Sequence, residues 1–362
     1  NKLLISGVLG LGTCMIYTPI HAGEAQAQSK PNVLIIYTDD MGAGDVSFLN
    51  NGWVKTPNID KLASGGLIVT NYYSSSPVSS PSRVGLTTGR FPTEMGINCY
   101  LQTRKGNAAC EQFDYLDASV PTMAKVMKSA GYTTGHFGKW HMGGGRDVID
   151  APQITEYGFD EYISTWESPN PDPVITDSAW IWSRTDQVKR WDRTAYFVDK
   201  TLDFLKRHKG EPCFVNLWPD DMHTPWVPSQ KTMDSERTSW TTPPNFKEVL
   251  TEYDKQIGRL MEGLTKLGLE KNTIVIFTSD NGPAPSFQQM RTNSLLGVKC
   301  SLYEGGIRMP FAIHWPEKIK AGGINDSSIV CAVDLLPSLC ALTGAKLPLD
   351  MELSGEDMSR AL

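Results

Sequence analysis

Asp39-Asp40 and Asp280-Asn281-Gly282 each follow a short apolar run of the chain. Alone, either is an ordinary turn or helix cap. Together they offer three carboxylates and an amide oxygen. Like charges crowded in this way need a cation. An all-oxygen donor set favours a hard ion, Ca²⁺ or Mg²⁺, over zinc. Ser79 would add one more oxygen. The positive groups lie in Gly138-Lys139-Trp140-His141, His223-Thr224-Pro225-Trp226, Gly297-Val298-Lys299 and at Arg83. A lone histidine is usually structural and a lone lysine usually solvated. A metal with two lysines, two histidines and Arg83 is what a tetrahedral oxyanion ester would need.

Short apolar runs must position these groups. Val33 to Thr38 reads as a strand buried on both faces, ended by Asp39-Asp40 and glycines. Thr273 to Thr278 is a strand that runs into Asp280. Tyr132 to Phe137 precedes Lys139, and Cys213 to Leu217 precedes His223. Phe311 to Trp315 is a further strand. Helical spacing covers Thr56 to Gly65, Thr122 to Ala130, Arg193 to His208, Phe246 to Leu267 and Asp334 to Leu342. The alternation predicts an α/β fold, with a mostly parallel central sheet and helices on both faces. In such sheets, ligands bind beyond the carboxyl ends of the strands. Ser79-Ser80-Pro81-Ser82-Arg83 reads as a turn into a short helix, with Ser79 or Ser80 as N-cap and Pro81 first. The segment from Gly144 to Asp192 has little regular pattern and holds Trp166, Trp180, Trp182 and Trp191. It either walls a pocket or caps the rim of the core.

The net charge of −6 gives no general pull on nucleic acid or anionic membrane. Positive charge for an anionic substrate must therefore be local. Lys2, an apolar run from Leu3 to Ile20 and Ala25-Gln26-Ala27 read as a signal peptide over residues 1–27. Pro19 and the glycines argue against a membrane anchor, and no later stretch is apolar enough to span. The expected location is periplasmic or secreted. The catalytic domain is expected over 28–345. The missing initiator Met is read as a clipped start. After cleavage, Cys99, Cys110, Cys213, Cys300, Cys331 and Cys340 remain, with no C-x-x-C spacing. Cys99–Cys110 is the first candidate disulfide, and free cysteines are the alternative.

Six segments, in order, resemble the type I sulfatases of the alkaline-phosphatase-like superfamily. They are Pro31 to Gly42, Ser79 to Arg83, Gly138 to His141, His223 to Pro225, Asp280 to Gly282 and Tyr303 to Arg308. The resemblance implies that Ser79 is oxidised to formylglycine by a maturation enzyme, making this a serine-type sulfatase. It implies that Asp39, Asp40, Asp280, Asn281 and modified Ser79 bind Ca²⁺, with Mg²⁺ as the other option. Arg83 would orient the formylglycine, and Lys139 and Lys299 would bind sulfate oxygens. His141 would take the proton that lets the covalent intermediate collapse. His223 would assist the leaving alcohol. A sulfated serine would be a stable ester, whereas a hydrated aldehyde has one hydroxyl to attack sulfur and another to expel sulfate.

Two departures from the family pattern stand out. Asp220-Asp221-Met222 precedes His223 where the family often has Pro, and the two acids are expected to face substrate hydroxyls. Residues 346–362 resemble the link to a small C-terminal antiparallel subdomain, which is expected to be missing or lost with a fragment. The expected substrate is a sulfated carbohydrate. The rivals are a phosphatase, phosphodiesterase or phosphonate hydrolase of the same superfamily, and an inactive sugar-binding relative.

Overall fold

The computed structural model describes residues 30–49, 52–176 and 183–362. In chain order the first elements are β1 (Asn32–Thr38), α1 (Pro57–Ser64), β2 (Leu67–Val69), β3 (Tyr72–Tyr73), α2 (Ser79–Thr88), α3 (Arg104–Ala109), α4 (Met123–Ser129), β4 (Thr133–Gly138) and β5 (Glu161–Ser164). Then come α5 (Arg193–Arg207), β6 (Cys213–Trp218), α6 (Gln230–Asp234), α7 (Pro243–Leu267), β7 (Thr273–Ser279), α8 (Glu304–Ile307), β8 (Ala312–His314), β9 (Gly323–Asn325), β10 (Val330–Cys331) and α9 (Leu335–Thr343).

One sheet runs β5-β4-β6-β1-β7-β8-β2-β9. From β5 to β7 every pairing is parallel. β8 is antiparallel to both β7 and β2, and β9 pairs parallel with β2. Strands β3 and β10 form a separate parallel pair.

β1 alternates between two hydrophobic layers. Val33, Ile35 and Tyr37 pack with Val84, Met127 and Leu339 of α2, α4 and α9. Leu34 and Ile36 pack with Leu62, Phe197 and Ile257 of α1, α5 and α7. A strand covered on both faces has no polar side to show, so its sequence reads as one apolar run. The α7 stripe of Phe246, Val249, Leu250, Tyr253, Ile257, Leu260 and Leu264 is buried as its spacing predicts.

Several expectations need correction. Helix α2 is capped by Val78, so Ser79 is its first residue and Pro81 its third, and neither Ser79 nor Ser80 is the N-cap. Pro81 has no N–H to lose to the helix anywhere in that first turn. Six cysteines are free thiols, so Cys99 and Cys110 are not bonded. The strand expected from Phe311 to Trp315 is shorter and antiparallel. The expected signal peptide, residues 1–27, lies outside the described residues, as do Trp180 and Trp182. No helix among the described residues is long and apolar enough to cross a membrane. Residues 346–362 carry no helix or strand; Ser354 and Gly355 donate their N–H groups to Gly89 O at the end of α2.

Candidate functional site

Strands β1 and β7 are in register, Thr38 opposite Ser279, so the residues beyond each end emerge side by side. Asp280 N–H donates to Thr38 O at 3.1 Å, and Asp40 N–H donates to Asp280 Oδ1 at 3.0 Å. Asp39, Asp40 and Asp280 thereby bring carboxylate oxygens within 4.8 Å of one another, all buried. Asp40 reaches this position with φ +56°, a left-handed conformation uncommon for a residue with a Cβ. Its carbonyl accepts from Arg291 Nη2 at 2.7 Å, and Arg291 is paired with Asp45 at 2.8 Å. Sequence reasoning missed this brace, because an isolated arginine and aspartate 246 positions apart carry no local signal.

Helix α2 brings up the next pair. Ser79 Oγ lies 3.0 Å from Asp39 Oδ1 and 3.2 Å from Asn281 Oδ1. Arg83 follows one turn later on the same helix face. It is fully buried and donates to Asp280 Oδ2 at 2.7 Å, Asp39 Oδ1 at 3.2 Å and Lys139 O at 3.1 Å. Lys139, just past β4, sets its Nζ 2.9 Å from Asp39 Oδ2. Lys299 Nζ sits 2.7 Å from Asp40 Oδ2. His223 Nε2 lies 3.6 Å from Asp40 Oδ2, while its Nδ1 faces Thr224 O at 2.6 Å.

His141 has a separate set of partners. Its Nε2 faces Leu101 O at 3.1 Å and its Nδ1 lies 3.4 Å from Glu167 Oε2. Glu167 also approaches Lys139 Nζ at 3.7 Å and Arg146 at 3.2 Å. His141 thus joins the cluster through a glutamate that the sequence did not single out.

The electrostatics follow from burial and crowding. Burial pushes Asp39 up, but Lys139, His223 and Arg83 outweigh it and hold the carboxyl well below its ordinary range. Asp40 is lowered too, with Lys299 and His223 overcoming burial. Asp280 is pushed up to about 7, by burial first and then by Asp39. Burial takes His141 down to about 3, against the pull of Glu167, and lowers His223 against Asp40. Burial works against the charge of Lys299, yet Asp40 and Asp39 raise its pKa.

A hard divalent cation fits this donor set. Asp39, Asp40, Asp280 and the Asn281 amide supply only oxygens, and their three carboxylates converge within 4.8 Å, buried away from the bulk solvent that would share the charge. Beside Asp39, a small pocket is walled by Lys139, Trp166, Glu167, Asp220 and His223. Asp221 was expected there with Asp220, but it is not part of that wall. Its Oδ2 accepts from Thr194 Oγ1 at 2.5 Å and Thr194 N at 3.2 Å. Past the end of β6 the chain turns, with His223 N–H donating to Asp220 O at 3.2 Å, and the two acids leave that turn in different directions, Asp220 into the pocket wall and Asp221 to Thr194. Trp191 is also elsewhere, packed with Val227, Met233 and Trp240. A roomier cavity of about 380 Å³, lined by Lys61, Met261, Glu262 and His314, holds none of these groups.

The sequence model of the family described as Sulfatase matches residues 31–345. The chain belongs to the sulfatase family. N-acetylgalactosamine-6-O-sulfatase of Bacteroides thetaiotaomicron is 29% identical over 418 residues, covering 96% of this chain and 79% of that protein. Human N-acetylgalactosamine-6-sulfatase is 30% identical over 358 residues, covering 92% and 66%. The chain thus spans about two thirds of the human sulfatase's length. A solved sulfatase structure from work on glycosaminoglycan metabolism by Bacteroides thetaiotaomicron superposes with a TM-score of 0.76 at 28% identity, covering 92% of this chain and 81% of that one.

Proposed function

We propose that this sulfatase hydrolyses a sulfate ester on a carbohydrate, with Ser79 matured to formylglycine. Asp39, Asp40, Asp280, Asn281 and the matured residue would hold one divalent cation, Ca²⁺ in preference to Mg²⁺. The observation that carries the reading is the position of Ser79 Oγ, 3.0 Å from Asp39 and 3.2 Å from Asn281, at the first residue of a helix whose next turn bears Arg83. When bound, the cation would withdraw charge from the sulfate oxygens, and the matured side chain would supply two hydroxyls on one carbon.

The chain's own residues divide the remaining work. Lys139 and Lys299 now neutralise Asp39 and Asp40. Turned toward substrate, the same ammonium groups hold sulfate oxygens and stabilise charge as the ester bond breaks. Arg83 fixes Asp39 and Asp280 together, so the nucleophile meets one geometry. His223 is the more exposed histidine of the site, with its side chain 22% accessible. Its Nδ1–H is spent on Thr224 O, so Nε2 is the nitrogen left toward the pocket, and from the imidazolium it passes the Nε2 proton to the leaving alcohol, leaving His223 neutral. Burial disfavours the charged form of His141, so its part as proton acceptor depends on Glu167, 3.4 Å from Nδ1, to stabilise the imidazolium.

The names of the relatives point to carbohydrate sulfates, and Trp166 offers the pocket an aromatic wall. The one acidic triad among the described residues argues against the two-metal sites of the phosphatase rival. We place the catalytic domain at residues 28–345 and read the protein as exported. Peptide mass spectrometry tests the central point. Protein co-produced with a formylglycine-generating enzyme should show a loss of two hydrogens and an aldehyde at Ser79. Fully active enzyme with unmodified Ser79 would sink the mechanism.

A further inference from the structure

Two carboxylates line the pocket where an anion is to bind. Glu167 is 8% exposed and Asp220 is 2% exposed, and both wall the same space as Lys139 and His223. A carboxylate beside a sulfate repels it, so neither group serves sulfate binding. Each does, however, hold acceptor capacity that the protein leaves unused. Asp220 Oδ2 takes Arg190 Nη1 and Arg193 Nη1, both at 2.7 Å. Its Oδ1 is buried and has no hydrogen-bond partner. Glu167 Oε1 accepts from Arg146 Nη2 at 3.2 Å. Glu167 Oε2 has only the longer approaches of His141 at 3.4 Å and Lys139 at 3.7 Å. An ionised carboxylate can accept about four hydrogen bonds, and a buried unpaired oxygen is costly unless a ligand satisfies it.

The strand order places these acceptors on both sides of the sulfate-binding lysine. Lys139 follows β4, which lies between β5 and β6. Glu167 follows β5 and Asp220 follows β6. Both are held firmly. Arg190 Nη2 bonds Asp220 O at 2.6 Å and His223 O at 3.0 Å, and the Glu167 carbonyl accepts His141 N–H at 3.0 Å.

We propose that Glu167 and Asp220 are the specificity residues of this site, each accepting a hydrogen bond from a hydroxyl that neighbours the ester-bearing carbon of the sugar. The substrate is then a sulfated sugar with free hydroxyls flanking the sulfate, and an aryl sulfate leaves both acceptors unpaired. This rests on the sulfatase reading above.

The test uses matured full-chain enzyme, a panel of monosulfated hexosides, their analogues with one neighbouring hydroxyl replaced by hydrogen, and 4-methylumbelliferyl sulfate. Glu167→Gln and Asp220→Asn should each lower the ratio of sugar to aryl kcat/KM about tenfold or more. On the analogue lacking the matching hydroxyl, that extra loss should vanish. Asp220→Asn disturbs the pairs with Arg190 and Arg193, so if it does not fold, Glu167→Gln gives the same reading alone. Equal losses on sugar and aryl sulfates, or losses that persist on every deoxy analogue, overturn the proposal and leave Glu167 as a support for His141. Wild-type enzyme that cleaves the aryl sulfate but no hexoside also overturns it, with the sulfatase reading intact. Wild-type enzyme that cleaves neither fails at the sulfatase reading itself.

Discussion

Arg83 Nη2 lies 2.7 Å from Asp280 Oδ2, with both side chains fully buried. The guanidinium also reaches Asp39 and rests against Tyr37 and Trp218, its carbon 5.6 Å and 5.2 Å from the ring centres. Arg83→Ala would leave two buried carboxylates without their shared partner. The expected loss is about 3–5 kcal/mol of folding stability in chelator. Arg83→Lys should recover part of it, since an ammonium cannot match the fork. Urea unfolding checks this, and an Arg83→Ala protein as stable as wild type would remove the account.

Chelation should abolish turnover and lower Tm. Ca²⁺ at a hundred times its Kd should return about 2.7 kcal/mol of stability. Asp280→Asn should weaken that calcium response. Scanning fluorimetry of chelator-treated protein with added Ca²⁺ makes the measurement. A Tm indifferent to Ca²⁺ contradicts a cation held by Asp39, Asp40 and Asp280.

Replacing His223 by Ala should depend on the leaving group. A sugar alcohol needs a proton as it departs, and an activated aryl oxide does not. The loss on a sugar sulfate should exceed that on an aryl sulfate by about a hundredfold or more. Equal losses would take the leaving-group role from His223.

Asp221 is pushed up to about 6, by burial first and by Asp220, against Arg190, the Thr194 hydrogen bond and Arg193. The folded protein therefore holds this proton more tightly than the unfolded chain, whose ordinary value is 3.8. The associated stability is full below that value and is lost as pH rises through about 6. Asp221→Asn should gain on wild type between pH 4 and pH 7, by on the order of 1–3 kcal/mol. Urea midpoints of both proteins across that range decide it. A difference independent of pH would show that Asp221 titrates normally.

The parts of the site legible in sequence were those that end apolar runs. Asp39, Asp40, Asp280 and Asn281 follow strands buried on both faces, whose interiors from Val33 to Tyr37 and from Ile274 to Phe277 are apolar throughout, so the carboxylates and amide beyond them stand out. Lys139 and His223 stand out likewise after β4 and β6. The cap of α2 was not legible. Val78 fits no capping preference, and the serines that do are drawn off, Ser79 to Asp39 and Ser80 to Leu101 N–H. Glu167 was hidden for another reason. It lies in an irregular segment whose course is set by glycines 143, 144 and 145, all at positive φ. Periodicity carries no information there, so the contact of Glu167 with His141 depends on tertiary packing alone. Strands β2 and β9, the last two at one side of the sheet, are three residues long, too short to show a period.

The arrangement of the sheet separates two kinds of residue by strand. The acidic triad stands on β1 and β7, and Ser79 and Arg83 stand on α2, which packs beneath β1. The loops after β5 and β6 lie on the other side of β1 and supply no oxygen to that triad. Inherited changes at Glu167 or Asp220 in those loops can accordingly alter what the pocket admits while the acidic triad, Ser79 and Arg83 are passed on unaltered. One ancestral scaffold of this kind can seed a lineage of enzymes that share the triad and differ at a few pocket positions.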